Sequence, residues 1–266
     1  MLVLHEQAQA SIGAVKRAPG FYILHGPRGI GKKTALLAHL PQAFTQILEP
    51  TQAGSIKVAD VRAATALLHV KKQEQWYLVV DDAHAMTTYA QNALLKVLEE
   101  LPERVSIIML TDNLSGLLVT VRSRAQTYNL PAPSSELVAS WLQEHQFDGE
   151  RAHKLLQIVG PYPGLLAPSL EDVATLTAHE RVADYIQRLC LGDDLSQRFQ
   201  AAAELTSQVT EVMPRIMQYV RSLVYAQPSP LHQQLLVSCE YAQRLLHANV
   251  NKRVVLDVIA LRMSPS

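Results

Sequence analysis

The sequence predicts an α/β fold in its first half, a parallel sheet with flanking helices, followed by an all-helical second half. Three observations carry this. Short apolar runs alternate with helical patterns over roughly the first half of the chain. One of these runs, Phe21-Tyr22-Ile23-Leu24, ends at a glycine-rich turn. Past Pro131-Ala132-Pro133-Ser134-Ser135 the strand patterns vanish. Strands interleaved with helices imply a parallel sheet covered on both faces, with ligand sites at the carboxyl ends of its strands.

Each element follows from local pattern. Phe21 to Leu24 reads as a buried strand, and Thr34 to Leu40 as the helix after the glycine turn. Asp60 to Val70 has apolar residues at Val61, Ala64, Leu68 and Val70 and reads as a helix. Trp76 to Val80 is a second strand. Thr87 to Leu101 is an amphipathic helix with Ala90, Leu94, Leu95 and Leu98 on its apolar face. Thr87 or Thr88 would cap it, and Pro102 stops it. Val105 to Leu110 and Gln126 to Leu130 are further strands. Pro131 to Ser135 reads as a linker. Ser135 to His145 and Arg151 to Val159 are then helices, broken at Gly160-Pro161-Tyr162-Pro163-Gly164. Five more helices are expected, near 173–191, 195–208, 211–226, 231–248 and 251–262. The expected domains are 1–132, 133–170 and 171–266.

Composition narrows the function classes. The 266 residues carry 24 Lys+Arg against 24 Asp+Glu, so the formal net charge is +0. No chain-wide basic field for nucleic acid exists, and any contact with DNA must be local. Cys190 and Cys239 are the only cysteines, too few for a disulfide framework or a thiolate zinc site. The longest apolar run, Trp76 to Val80, is far shorter than the roughly 20 residues of a membrane span. The amino terminus lacks the basic and apolar regions of a secretory signal. A soluble, cytoplasmic protein is the expectation.

Gly26-Pro27-Arg28-Gly29-Ile30-Gly31-Lys32 matches most of the phosphate-binding pattern G-x-x-x-x-G-K-[ST]. Glycines let the backbone aim N–H groups at phosphate oxygens. Lys32 would reach the terminal phosphates, and the helix that follows adds its dipole. The next position departs from the pattern. Lys33 stands where Ser or Thr would put a hydroxyl on Mg²⁺. Thr34 is one residue late, about 100° around the helix. Leu78-Val79-Val80-Asp81-Asp82-Ala83-His84 is an apolar strand ending in two acids. In ATPases with such a loop, the first acid helps hold Mg²⁺ and the second is normally Glu, which orients the attacking water. Asp82 is one methylene shorter, and phosphoryl transfer depends on positioning. His84 reads as a packing or turn histidine.

Asn92-Ala93-Leu94-Leu95-Lys96-Val97-Leu98-Glu99-Glu100-Leu101-Pro102 resembles the N-A-L-L-K-x-L-E-E-P-P segment of clamp-loader AAA+ subunits. Thr120-Val121-Arg122-Ser123-Arg124-Ala125 resembles their T-I-x-S-R-C segment, with Ala125 in place of Cys. The stretch from His247 to Arg253, with Val254, Val255 and Leu256, is similar to their last collar helix. Within this family, Lys33, Asp82 and the arginine-free Gly160–Gly164 segment look most like the delta-prime branch of the bacterial DNA polymerase III clamp loader. The four-cysteine zinc module of many relatives has no counterpart between Leu40 and Gly54, so no zinc is expected.

The resemblance implies roles. Arg124 would reach ATP held by a neighbouring ATPase subunit, as a finger acting in trans, with Ser123 helping to position it. Thr111, at the end of a strand, matches a residue that senses the γ-phosphate in active relatives. Gly26, Gly29, Gly31, Lys32, Lys33, Thr34, Asp81 and Asp82 would form a nucleotide pocket inherited with the fold, with ATP and Mg²⁺ as the open ligands. Domains 133–170 and 171–266 would be a helical lid and a collar. The implied partners are the ATPase subunits, the delta subunit, the sliding clamp and primed DNA, with no membrane. Lys96 and the first turns of the domain-one helices could face DNA phosphates. The alternative is an active AAA+ motor subunit that binds and hydrolyses ATP itself; a third reading is nucleotide held only as a structural ligand.

Overall fold

The computed structural model describes residues 5–51, 54–66, 68, 74–145, 147, 149, 156, 159–171 and 173–263. The strands are β1 (Gly20–His25), β2 (Thr45–Leu48), β3 (Trp76–Val80), β4 (Val105–Thr111) and β5 (Gln126–Asn129). They form one sheet in the order β2-β3-β4-β1-β5, and every neighbouring pair is parallel. β4 is buried at all seven positions, as befits a strand flanked on both sides and covered on both faces. The edge strands β2 and β5 are only partly covered.

Successive strand residues face opposite sides, so the sheet supports two apolar layers. Phe21, Ile23, Leu78, Val80, Ile107 and Met109 share one core with Val61, Ala64, Ala90, Leu94 and Val121. These come from the helices α3 (Val58–Ala66), α4 (Thr88–Glu99) and α5 (Val119–Arg122). Tyr22, Leu24, Tyr77, Val79, Ile108 and Leu110 are buried on the other side. The helices α1 (Glu6–Arg17) and α2 (Lys32–Leu37) bury Ala8, Ile12, Val15, Ala35 and Leu36. Thr87 is the cap of α4, its hydroxyl accepting from Ala90 N at 3.2 Å. Leu94 lies in the core, and Leu95 and Leu98 pack partly buried against it.

Three elements of the first half lie outside the sequence reading, the four-residue α5 among them. No helix was expected before Phe21, yet α1 is present; its polar residues leave only three buried positions to mark its inner face. No strand was expected between the helix after the glycine turn and Asp60, yet β2 is present; it has four residues and none is fully buried.

The chain separates into two compact units, 1–134 and 135–266. The described elements of the second unit are α6 (Ser135–Glu144), α7 (Pro163–Glu171), α8 (Val173–Leu191), α9 (Leu195–Leu205), α10 (Val209–Ala226), α11 (Pro230–His247) and α12 (Lys252–Ala260). Most of the helix expected at Arg151 to Val159 lies outside the described residues. Ile186, Leu189, Ile216, Val220, Leu235, Val255, Leu256 and Ile259 build the core of the later helices. Side-chain caps at Asp194, Ser229 and Asn251 start α9, α11 and α12. Cys190 and Cys239 are free thiols buried in this core, and burial pushes both upward, Cys239 to about 12. Such thiols stay protonated and act as small apolar side chains. Among the described residues, no helix is long and apolar enough to cross a membrane.

Candidate functional site

The carboxyl ends of the parallel strands converge on one edge of the sheet, and the glycine loop leaves from there. β1 lies between β4 and β5, so its exit is confined on both sides. Gly26 N donates to the Thr111 carbonyl at 3.1 Å, while Leu130 N donates to the His25 carbonyl at 2.7 Å. Gly29 and Gly31 take left-handed backbone angles, φ 83° and 82°. Turns of alternating hand can point successive N–H groups at one anion. α2 begins at Lys32 and ends at Leu37, earlier at both ends than the expected Thr34 to Leu40.

The two lysines are held by the chain itself. Lys32 Nζ folds back and donates to the carbonyls of Gly26 and Pro27, both at 2.9 Å. Burial lowers the pKa of this ammonium, while Asp112, Asp82 and Asp81 pull it up. Lys33 Nζ donates to Glu49 Oε1 and stands 3.3 Å from Asp81 Oδ2. The Glu49 hydrogen bond is the largest cause raising its pKa, and Asp81 adds to it. Thr34 is exposed on the next step of α2. Asp82 N donates to Asp81 Oδ1 at 3.1 Å, and Asp82 itself is left-handed at φ 45°.

These residues do not suit Mg²⁺. A magnesium ion sits about 2.1 Å from a carboxylate oxygen. With Lys33 Nζ 3.3 Å from Asp81 Oδ2, a metal on that oxygen would lie at most about 5.4 Å from the ammonium. The repulsion would be about 1.5 kcal/mol in bulk water and about 6 kcal/mol at a near-surface effective dielectric of 20. No hydroxyl at position 33 offsets it.

His25, the last residue of β1, has its pKa lowered, first by burial and then by the charge of Lys32. In the unfolded chain it titrates near 6.5. As pH falls through 6.5 the unfolded state takes up the proton first, so acid removes stability; above 6.5 there is no effect. One such group is worth at most about 1.4 kcal/mol per pH unit. Melting curves at pH 7.5 and 5.5 should show a smaller acid loss for His25→Gln than for the wild type. An equal loss would remove His25 as the cause.

Thr111 closes β4 fully buried. Its hydroxyl donates to the Asn113 carbonyl at 3.1 Å and accepts from Asn113 N at 3.0 Å. His84 Nδ1 lies 3.1 Å from the same oxygen and 3.3 Å from Asp112 Oδ1. His84 thus knits the turn after β3 to the end of β4. No local residue pattern signals this contact, because His84 and Thr111 meet only through the pairing of those two strands.

Arg124 stands elsewhere. β5 begins at Gln126, paired with Tyr22, and ends at Asn129, paired with His25. Arg124 precedes β5 and so lies beyond its amino end, at the opposite edge of the sheet from Gly26. At about 3.3 Å per residue, the strand alone separates the two by about 10 Å. Its guanidinium donates to the Thr120 carbonyl at 3.1 Å and lies 3.5 Å from Glu99 Oε1, with 43% of the side chain exposed. Ser123 Oγ donates to the same carbonyl at 3.2 Å. Buried Gln91 fixes this region: its Nε2 donates to the Met86 and Gly116 carbonyls, and its Oε1 accepts from Leu118 N at 2.7 Å. The start of α5 is thereby tied to α4.

The chain is similar to known proteins. Residues 35–134 match the family model described as DNA polymerase III, delta subunit. DNA polymerase III subunit delta′ of Haemophilus influenzae is 32% identical over 111 residues, covering 40% of this chain and 34% of that protein. The delta′ subunit of Pseudomonas aeruginosa is 28% identical over 203 residues, 63% of this chain and 60% of that one. The matched stretch thus spans about a third to three-fifths of these relatives. The crystal structure of a DNA polymerase III gamma subunit-related protein from Thermotoga maritima aligns with TM-score 0.58 at 20% identity, over 97% of this chain and 98% of that one, and supports the fold. Over part of its length the chain is thus similar to DNA polymerase III delta and delta′ subunits, and its fold is like that of a gamma subunit-related protein.

Proposed function

We propose that this chain works in the DNA polymerase III clamp loader as a delta-prime-like subunit, with no ATP turnover of its own. It supplies Arg124 to ATP bound by a neighbouring ATPase subunit and helps load the sliding clamp onto primed DNA in the cytoplasm. ATPase subunits and a delta subunit are its partners in this reading, with 133–170 as lid and 171–266 as collar.

The observation that carries the reading is the placement of Arg124. It is half-exposed, rigidly based, and at the opposite sheet edge from its own glycine loop. A guanidinium there is available to a second molecule. Among the described residues its charged contact is with Glu99, 3.5 Å long between exposed groups and worth at most about 1 kcal/mol. A phosphate oxygen, gripped by the planar fork, displaces such a partner readily. The motor-subunit alternative is opposed by Lys33, which holds the acid that a catalytic metal would need.

The test is ATP turnover by a loader reconstituted with clamp and primed DNA, comparing wild type with Arg124→Ala. A full rate from an intact complex overturns the finger. Metal-dependent turnover by the isolated chain, abolished by Lys32→Ala, overturns the non-hydrolysing role.

A further inference from the structure

The conflict between the glycine loop and a metal leads to an inference separate from the Arg124 role. We propose that Lys33 is the resident cation of this site: it bridges the strand ends as a divalent metal would, so the chain closes its own loop and takes no magnesium nucleotide.

The geometry is specific. Lys33 is the second residue of α2, directly after the loop. Glu49 follows β2 and Asp81 follows β3. These strands are neighbours, and Asp81 N donates to the Leu48 carbonyl at 2.9 Å, which sets the two acids side by side. One ammonium between them ties the first turn of α2 to both strand ends. In a metal-dependent site that tie would run from the carboxylate through the ion to a hydroxyl and the phosphates. Here the ammonium of Lys33 makes that tie. Lys32 completes the arrangement, since its ammonium already donates to two carbonyls of the loop. The acids Glu49, Asp81, Asp82 and Asp112 outnumber Arg28 and the two lysines, so the loop carries no surplus positive charge to draw in a free polyphosphate.

The full chain, free of other subunits, provides the test. Thermal shift and fluorescent-nucleotide titration are run with millimolar ATP, in Mg²⁺ and in EDTA. The expected wild-type result is no difference between the two conditions. Lys33→Thr removes the cation and restores a hydroxyl; its ATP affinity should become at least tenfold tighter in Mg²⁺ than in EDTA. Magnesium-dependent binding by the wild type overturns the proposal, as does a folded Lys33→Thr chain indifferent to the metal. A second measurement stands if Lys33→Thr folds poorly. In EDTA without nucleotide, the melting temperatures of Lys33→Met, Asp81→Asn and the double variant should be non-additive, the second change costing little once the first is made. Additive shifts show that the bridge does nothing and also overturn it. Neither result depends on Arg124, so failure here leaves the loader role standing, and the reverse.

Discussion

Arg124→Ala should leave the reconstituted loader assembled and lower ATP turnover at the site it faces by about 10³-fold, the lower end of the range for fingers supplied in trans. The size follows from where the charge acts. A guanidinium against a leaving phosphoryl group works in a site that excludes water, where electrostatic stabilisation far exceeds its worth at an open surface. The same group in the isolated chain rests on Glu99 and Thr120, with little to lose by leaving. Folding should therefore be insensitive to the substitution while catalysis is not.

Two companion variants separate a finger from a general surface charge. Arg124→Lys keeps the charge but not the planar fork, and should recover only a small part of the rate. Glu99→Ala removes the intrachain partner and should keep the rate within about fivefold, since an exposed pair contributes at most about 1 kcal/mol. If Lys restores full turnover, the geometric argument fails and a diffuse electrostatic effect remains. If Glu99→Ala is as damaging as Arg124→Ala, the pair is structural.

What was legible in the sequence were features with local signatures. β3 and β4 are continuous apolar runs, and α4 has both a stripe and a capping threonine. The glycine loop and the acids of Asp81-Asp82 announce themselves by spacing, and they meet because β3 and β1 run parallel with only β4 between them. What was not legible depended on elements without such signatures. Glu49 is the partner of Lys33 only because it follows β2, a four-residue edge strand whose Thr45 and Gln46 look like loop. Read alone, Lys33 is a missing hydroxyl; read with β2 in place, it is an ion bridge. His84 reads in the sequence as a turn or packing residue, and its contact with Thr111 likewise needs the pairing of β3 and β4 to be known. The departure of Arg124 from its own loop follows from β5 register, which no residue pattern near Arg124 encodes.

Gly26→Ala should be among the most destabilising single substitutions in the first unit, costing about 3 kcal/mol or more and roughly 10 °C in melting temperature. Gly26 does not need an unusual backbone angle; it needs to have no side chain. A Cβ there would lie 2.2 Å from the Leu130 carbonyl oxygen and 3.0 Å from Ile30 Cδ1. The isoleucine tip can turn aside, but the carbonyl cannot, because it belongs to backbone whose Leu130 N–H is bonded to His25 at 2.7 Å. On the other side, Gly26 N is held by Thr111. Relief requires one of the two pairings of β1 to give way. Gly31 is the opposite case. Nothing lies within 4 Å of its Cβ position, and only its φ of 82° resists alanine, at about 1–2 kcal/mol. Urea and thermal melts of the two variants therefore distinguish a packing glycine from a dihedral one within a single loop. Equal losses would mean that the exit of β1 has room to relax, and that the confinement between β4 and β5 is weaker than the distances imply.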